Sequence, residues 1–225
     1  PTSDKPSLLS VDDVLTLYHE LGHGLHSLFS NTQYPSAQIV PVDFVELPSQ
    51  IMENWAMEPE VLKMYAKHYK TDEPMPQELI EKIHNSKLFN QGFETVEYLA
   101  ASFLDLDWHT ISEVTDIDVP AFEKKSMTKI GLIPQIESRY QSTNFAHIFS
   151  GGYASGYYSY IWAAVLDADA FEAFKEKGLF DKATAESFRK NVLEKGGSED
   201  VMNLYKKFRG AEPKVDALLK RRGLN

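Results

Sequence analysis

Apolar residues recur every three or four positions along most of the chain, which is the spacing of one face of an α-helix. Few stretches show the period-two alternation of apolar and polar residues that marks a half-buried β-strand. Proline and glycine separate the helical stretches, as expected at helix boundaries. The pattern therefore predicts a mainly α, multi-helix protein with little β structure. We expect helices near residues 11–30, 43–57, 59–69, 76–90, 93–114, 118–129, 153–177, 182–194, 198–208 and 213–222, and one short strand near 37–40.

The first predicted helix begins with a recognisable cap. Ser10, followed three residues later by Asp13, has the spacing of a capping box. Behind it, six apolar residues recur at helical spacing and predict a buried helix. These residues are Val14, Leu17, Tyr18, Leu21, Leu25 and Leu28.

The same helix carries the sequence His-Glu-Leu-Gly-His at positions 19–23. Residues four apart lie on one helical face, so His19 and His23 can reach one metal ion. Glu20 is next to a ligand without being one, and its carboxylate could take a proton from a water molecule at that metal. Two imidazoles and a carboxylate would be costly on a buried helix without such a partner. Because His-Glu-x-x-His is the pattern of zinc-peptidase helices, we expect one zinc ion per chain.

Composition restricts the remaining classes of protein. The net charge of −10 argues against a general nucleic-acid or anionic-membrane binder. There is no cysteine, so any zinc must be held by imidazole and carboxylate groups, and a reducing, cytoplasmic location is expected. The lysines and arginines clustered at 206–222 are expected to form a solvated face.

A catalytic zinc site has three protein ligands and one open position. Glu46, on the second predicted helix, is our candidate for the third ligand, and Gln50 and Glu53 share its helical face. Either Glu53 or Asp43 could accept a hydrogen bond from the free ring nitrogen of a ligand histidine. We expect His26 to be a hydrogen-bonded residue of the core or of the surroundings of the site, since a fourth protein ligand would close the open position.

Several segments together resemble one known family. His-Glu-Leu-Gly-His-Gly-Leu-His at 19–26, Asp-Phe-Val-Glu at 43–46 and Pro-Ser-Gln at 48–50 resemble the thimet oligopeptidase/neurolysin family of zinc metallopeptidases. Residues 145–162 and the tail at 196–224 are most similar to its peptidyl-dipeptidase (dipeptidyl carboxypeptidase) branch. The resemblance spans nearly all 225 residues.

This resemblance implies a mainly helical, zincin-like catalytic domain that cleaves short peptides in a deep channel. It implies that His19, His23 and Glu46 hold the zinc ion, and that Glu20 acts as general base and then carries the proton to the leaving amine. The branch implies release of C-terminal dipeptides. An endo-acting oligopeptidase is the alternative within enzymes, and a helical zinc-binding fragment without activity is the alternative outside them.

Members of that family have several hundred further residues before the segment that this chain resembles. We therefore expect residues 1–225 to be the C-terminal catalytic portion, without the N-terminal part of the family's fold. The expected partners are short peptide substrates and that N-terminal portion, and no nucleic acid or membrane.

Residues 151–160, which we call the tyrosine loop, carry the remaining candidates. On spacing alone, tyrosines at 153, 157 and 160 are typical of a packed core stripe. The resemblance instead implies that Tyr153 and Tyr160 bind substrate, and that Tyr160 stabilises the oxyanion with Tyr153 or with His147. Tyr157 and Trp162 are expected to belong to the core.

Two further features of this region concern substrate binding. Gly151 and Gly152 would let the tyrosine loop fold over a peptide. Release of dipeptides also requires a donor that captures the terminal carboxylate of the substrate. Arg139 and Tyr140, which precede the loop, are our candidates, although an isolated Arg139 would more often be solvated.

Overall fold

The computed structural model describes residues 6–113 and 116–224, and the fold within them is mainly α, as predicted. These described residues form no β-strand, and one isolated antiparallel bridge joins Lys67 to Pro74. The predicted strand at 37–40 is wrong. A 3-10 turn covers Pro35–Gln38, since proline fixes a φ angle that suits a turn, and the Ala37 carbonyl accepts a 2.8 Å hydrogen bond from Gly197 N–H rather than from a strand.

The helices of the described residues follow one another along the chain. They are α1 (Val11–Phe29), α2 (Glu46–Ala56), α3 (Pro59–Tyr65), α4 (Gln77–Ser86), α5 (Gln91–His109), α6 (Val119–Lys129), α7 (Ala146–Phe149), α8 (Ser159–Lys177), α9 (Lys182–Phe188), α10 (Val201–Arg209) and α11 (Asp216–Arg221). A π-helical turn, Arg189–Leu193, follows α9. The helix expected from residue 153 begins only at Ser159, because the residues before it form turns.

The chain divides into two compact units, each described separately below. The first unit is formed by Pro1–Leu88 and Ala163–Asn225, and the second by Phe89–Trp162. None of the helices in the described residues is both long enough and apolar enough to cross a membrane.

In the first unit, α1 begins with the predicted capping box. Ser10 Oγ accepts from Asp13 N–H at 3.1 Å, and the Asp13 carboxylate accepts from Ser10 N–H at 2.8 Å. The prediction that the apolar stripe buries this helix is wrong, because the buried residues of α1 are Gly22 and His26. Leu17, Leu21 and Leu28, which are 57, 47 and 80% exposed, lie about 100–140° around the helix from Gly22.

The core of the first unit fixes α2 against α8. Phe44, Leu47 and Ile51 are fully buried, and the Trp55 ring packs edge-on against Phe171 and Phe174 at 4.7 Å between centroids. The position of α2 matters because this helix begins at Glu46.

Two of the basic residues predicted to lie on a solvated face also bind buried carboxylates. Arg221 binds the carboxylate of Asp167, which is 1% exposed, and Arg209 binds Asp169 at 3.3 Å. A buried carboxylate is costly without a partner, and α8 buries both aspartates. Arg221 also donates to Asn54 on α2 at 3.0 Å, which joins α2, α8 and α11 in one network.

The second unit has an aromatic core built on α5. Ala101, Phe145, Ile148 and Tyr157 are buried together, and partly buried aromatic residues pack around them: Tyr98, Trp108, Tyr140 and Tyr160. The burial of Tyr157 confirms its predicted place in the core, whereas Trp162 is only half-buried.

Candidate metal centre and tyrosine loop

Three side chains of the first unit converge on one point. Oε2 of Glu46 lies 3.3 Å from Nε2 of His19 and 3.3 Å from Nε2 of His23. Ligand atoms of these three residues all lie within 4.8 Å of one another. Glu46 is 2% exposed, whereas the two histidines are 22 and 31% exposed. The carboxylate of the cluster is thus buried, and the two imidazoles lie nearer the solvent.

Gly22 explains how two separate helices bring these groups together. A Cβ atom at this position would lie 2.3 Å from the carbonyl oxygen of Pro48 and 2.5 Å from Cα of Ser49. Only glycine therefore lets the α1 backbone contact the first turn of α2, directly beside Glu46. Pro48 is tolerated in that turn because its missing N–H has no partner to lose there.

Ser49 contacts Glu46 and was not among the residues predicted to belong to the site. Its hydroxyl lies 2.8 Å from Oε2 of Glu46 and 2.9 Å from the Glu46 carbonyl oxygen, and Ser49 is fully buried. The hydroxyl can thus orient the carboxylate toward the histidines. A serine three residues after a candidate ligand at a helix start was the signal that could have identified it.

Glu53 contacts the other side of His19. Oε1 of Glu53 lies 2.7 Å from Nδ1 of His19, so that Nδ1 donates to Glu53 and Nε2 faces Glu46. This is the arrangement that fixes the tautomer of a ligand histidine. Asp43 is half-buried, and no contact among the described residues joins it to a histidine.

The electrostatics of the cluster favour a cation. Burial by itself lowers the pKa of His19, but hydrogen bonds to Glu46 and Glu53 and the charges of both carboxylates outweigh it and raise the pKa to about 10. Two imidazole nitrogens and one carboxylate oxygen are a donor set found in catalytic zinc sites. The residues present therefore fit a zinc ion, and a buried carboxylate facing two imidazole nitrogens is the observation that supports the fit.

Glu20 and His26 lie on the same helix in different surroundings. Glu20 is exposed beside His19. His26 is buried, and its Nε2 atom has no hydrogen-bond partner among the described residues, so the expected hydrogen bond is missing at that atom. Burial, and then the charge of His23, lower the pKa of His26 to about 4. His26 is therefore a neutral core residue at ordinary pH.

In the second unit, three sequence-predicted residues lie together. The rings of Tyr153 and Tyr160 are stacked, with centroids 5.2 Å apart, and the His147 ring is 6.2 Å from each of them. All three side chains are half-buried.

The glycines of the tyrosine loop permit a sharp change of direction after α7. A Cβ atom on Gly151 would lie 2.9 Å from Cα of His147, and Gly152 has a φ of +86°. Tyr153 N–H can then donate to the His147 carbonyl at 3.0 Å. Arg139 is exposed, with its guanidinium 5.9 Å from the centre of the Tyr140 ring.

Comparisons with known proteins show which proteins this chain is similar to. The chain is 44% identical to the dipeptidyl carboxypeptidase of Escherichia coli over all of its length, which is 34% of that protein. It is 42% identical to oligopeptidase A of the same organism, again over the whole chain and 34% of the relative. It is 34% identical to saccharolysin of Saccharomyces cerevisiae over 99% of this chain and 32% of that protein.

The chain thus spans about a third of the length of the curated relatives it matches. A protein-family model described as peptidase family M3 matches residues 1–224. The chain belongs to peptidase family M3.

Proposed function

We propose that this chain is the catalytic portion of a zinc peptidase that hydrolyses short peptides. The observation that supports it best is the convergence of His19, His23 and Glu46 within 4.8 Å, with Glu20 on the same helix as the two histidines. When bound, zinc would polarise the scissile carbonyl and lower the pKa of water. His19, His23 and Glu46 would hold it, with Ser49 and Glu53 orienting two of these ligands.

Glu20 supplies the proton transfers in this proposal. Its carboxylate accepts a proton from the attacking water and then delivers it to the amine of the leaving peptide. The exposure of Glu20 supports this role, since an attacking water and a peptide must both reach it.

The tyrosine loop provides hydrogen-bond donors in the same proposal. Tyr160, with Tyr153 or His147, stabilises the oxyanion, and Gly151 and Gly152 keep the loop backbone open to a peptide. The family resemblance is the support for these roles, together with the stacking of Tyr153 on Tyr160.

Metal content tests the ligand assignment directly. After dialysis, the wild-type chain should retain about one zinc, as expected for one set of three ligands. Glu46→Ala should lose most of it, whereas the control Glu60→Ala, an exposed acid on α3, should retain it. Equal zinc in the wild type and in Glu46→Ala would overturn the assignment.

We further propose that the peptidase releases C-terminal dipeptides, with Arg139 and Tyr140 capturing the terminal carboxylate of the substrate. The relative named dipeptidyl carboxypeptidase, 44% identical, favours this specificity. The relative named oligopeptidase A, 42% identical, favours endo-acting cleavage as the second candidate.

Blocked peptides of increasing length separate the two specificities. Dipeptide release predicts successive dipeptide products by mass, and poor cleavage of C-terminal amides, because an amide lacks the negative charge that would pair with the Arg139 guanidinium. Arg139→Gln should reduce the preference for acids over amides. Internal cleavage at mixed distances, equally fast for acids and amides, would establish the endo-acting alternative.

A longer polypeptide completes the enzyme in this proposal. The chain covers about a third of its relatives, and Leu17, Leu21 and Leu28 on α1 present apolar surface that a further segment would cover. We expect the isolated 225-residue chain to self-associate or to be a poor catalyst. A monomer with high peptidase activity by sedimentation and turnover would contradict this, and a chain that binds zinc without turnover in any longer form would favour the non-catalytic alternative.

A further inference from the structure

Asp105 is a fully buried carboxylate of the second unit that lies outside the proposed catalytic groups. Its Oδ1 atom accepts from Ser155 N–H at 2.9 Å, and its Oδ2 atom accepts from Tyr157 N–H at 2.9 Å. His109, one turn further along α5, lies 2.8 Å from Oδ1 through its Nδ1 atom. Both oxygens of the carboxylate are thus occupied, and two of the three contacts go to the backbone of the tyrosine loop.

The same face of α5 also binds the carbonyl group of Tyr157. Tyr98 precedes Asp105 by seven residues, or two helical turns, and its hydroxyl donates to the Tyr157 carbonyl. The rings of Tyr98 and Tyr157 are stacked with centroids 5.1 Å apart. The N–H and the C=O of Tyr157 are therefore both bound by side chains of one helix.

The loop needs this support because its backbone is not regular. Ser155 has a φ of +53°, a left-handed conformation that is unfavourable for residues other than glycine. Such a conformation persists only where surrounding contacts impose it. The hydrogen bond from Ser155 N–H to Asp105 is such a contact.

In the sequence, Tyr157 lies between Tyr153 and Tyr160, the two tyrosines to which substrate contact is assigned above. Its ring is 5.4 Å from Tyr160 and 5.6 Å from His147, while Tyr153 stacks on Tyr160. A shift of the Tyr157 backbone would therefore be passed to the functional side chains through direct ring contacts.

We propose that Asp105 is a positioning residue, assisted by Tyr98, which fixes the tyrosine loop so that Tyr153 and Tyr160 present their hydroxyls to the substrate. This role rests on the function proposed for those tyrosines. Asp105 itself touches no substrate, and it acts through the backbone of Ser155 and Tyr157.

Asp105→Asn tests the hydrogen bonds without a large change of shape. The asparagine carbonyl can accept one N–H, but its amide group cannot accept the other. In the full 225-residue chain, amide exchange at Ser155 or Tyr157 should accelerate about tenfold or more, with little change along α5. Unchanged exchange at both amides would overturn the positioning role whether or not the chain is a peptidase.

Kinetics distinguish positioning from stability alone. In an active form of the enzyme with full zinc content, Asp105→Asn should lower kcat about ten- to hundredfold, with a smaller effect on KM. The reason is that the displaced hydroxyls of Tyr153 and Tyr160 would no longer stabilise the transition state. The matched control is Asp107→Asn on the same helix, since Asp107 binds Ser126 and Lys129 instead. The control should leave kcat unchanged.

Tyr98→Phe is the second variant, should Asp105→Asn not fold. It keeps the stacked ring but removes the donor to the Tyr157 carbonyl, so kcat should fall in the same direction by a smaller factor in a variant that remains folded. Accelerated exchange with an unchanged kcat in both variants would overturn the inference and leave the proposed function standing. A wild-type enzyme without turnover would instead overturn the proposed function.

Discussion

The metal centre and the tyrosine loop hold their functional groups by different means. His19, His23 and Glu46 project from regular helices, and a close crossing at Gly22 sets the distance between those helices. Tyr153 belongs to an irregular segment, whose backbone is held by hydrogen bonds to Asp105 on α5. Helical spacing is enough to position the candidate metal ligands on each helix, whereas the loop depends on contacts distant in sequence.

The largest effect is expected from a change that leaves the geometry of the metal centre intact. Glu20→Gln keeps the size of the side chain but cannot accept a proton. In an active form of the enzyme, turnover should fall by roughly 10²–10⁴-fold, as for the loss of a general base. Zinc content by elemental analysis should be unchanged, and near-normal turnover with bound zinc would remove Glu20 from the mechanism.

The helix crossing is tested by adding one carbon atom to α1. Gly22→Ala would place Cβ 2.3 Å from the Pro48 carbonyl, so the helices must separate. We expect a loss of about 1–3 kcal/mol in the free energy of unfolding, as for overpacked sites, together with weaker zinc binding.

Gly24→Ala is the matched control for this change. A Cβ atom at Gly24 would meet no atom within 4 Å, and alanine favours a helix by up to about 1 kcal/mol over glycine. The control should be neutral or stabilising in urea unfolding. Equal effects of the two substitutions would show that helix propensity, and not the crossing, determines the result.

A smaller effect is expected from the groups that orient the ligands. Ser49→Ala removes the hydroxyl 2.8 Å from Oε2 of Glu46, and zinc affinity should fall about 10- to 100-fold, as for other outer partners of metal ligands. Competition with a chromophoric chelator measures this change. Ser27→Ala, an exposed site on the same α1 helix as the histidines, should bind zinc like the wild type.

The last prediction concerns the metal-free chain, whose free energy of unfolding should change gradually with pH. The pKa of His26 is lowered from 6.5 to about 4, so its contribution is present above pH 6.5 and is lost as the pH falls toward 4. The pKa of His19 is raised from 6.5 to about 10, so its contribution is present below pH 6.5 and is lost as the pH rises toward 10.

Each loss should approach about 1.4 kcal/mol per pH unit within its window. Urea unfolding in the presence of a chelator measures both. His26→Gln should remove the acid-side loss alone. Saturating zinc should abolish the alkaline loss, because the metal binds the deprotonated imidazole. A wild-type chain that loses no more stability than His26→Gln as the pH falls from 6.5 to 5 would contradict the burial of a neutral His26.

Features set by local spacing could be predicted from the sequence, whereas features set by contacts between distant residues could not. The period of 3.6 residues correctly predicted a mainly α fold, and local spacing identified the capping box at Ser10. The strand near 37–40 was wrong because the hydrogen bond from Gly197 to Ala37 joins distant residues. The burial of α1 was wrong for a related reason, since an apolar stripe does not reveal which face the crossing at Gly22 will cover.

Residues that act through long-range contacts had no local pattern. In the sequence, Asp105 is simply one acidic residue of a predicted helix. Only the folded structure shows its hydrogen bonds with Ser155 and Tyr157. In the sequence, Arg221 is part of a cluster of basic residues. Only the folded structure shows that it binds the buried Asp167 on α8. Ser49 differs, because its spacing from Glu46 was visible in the sequence.

The pairing of Arg221 with Asn54 has a consequence for the newly synthesised chain. These residues are 167 positions apart, so this anchor of α2 can form only after the C-terminal helix α11 has left the ribosome. Until then, Asp167 lacks its cation, and the helix that begins with Glu46 lacks one of its attachments. Within this segment, the contacts that hold α2 at the candidate metal centre are therefore complete only after Arg221 has been translated, long after the two histidines.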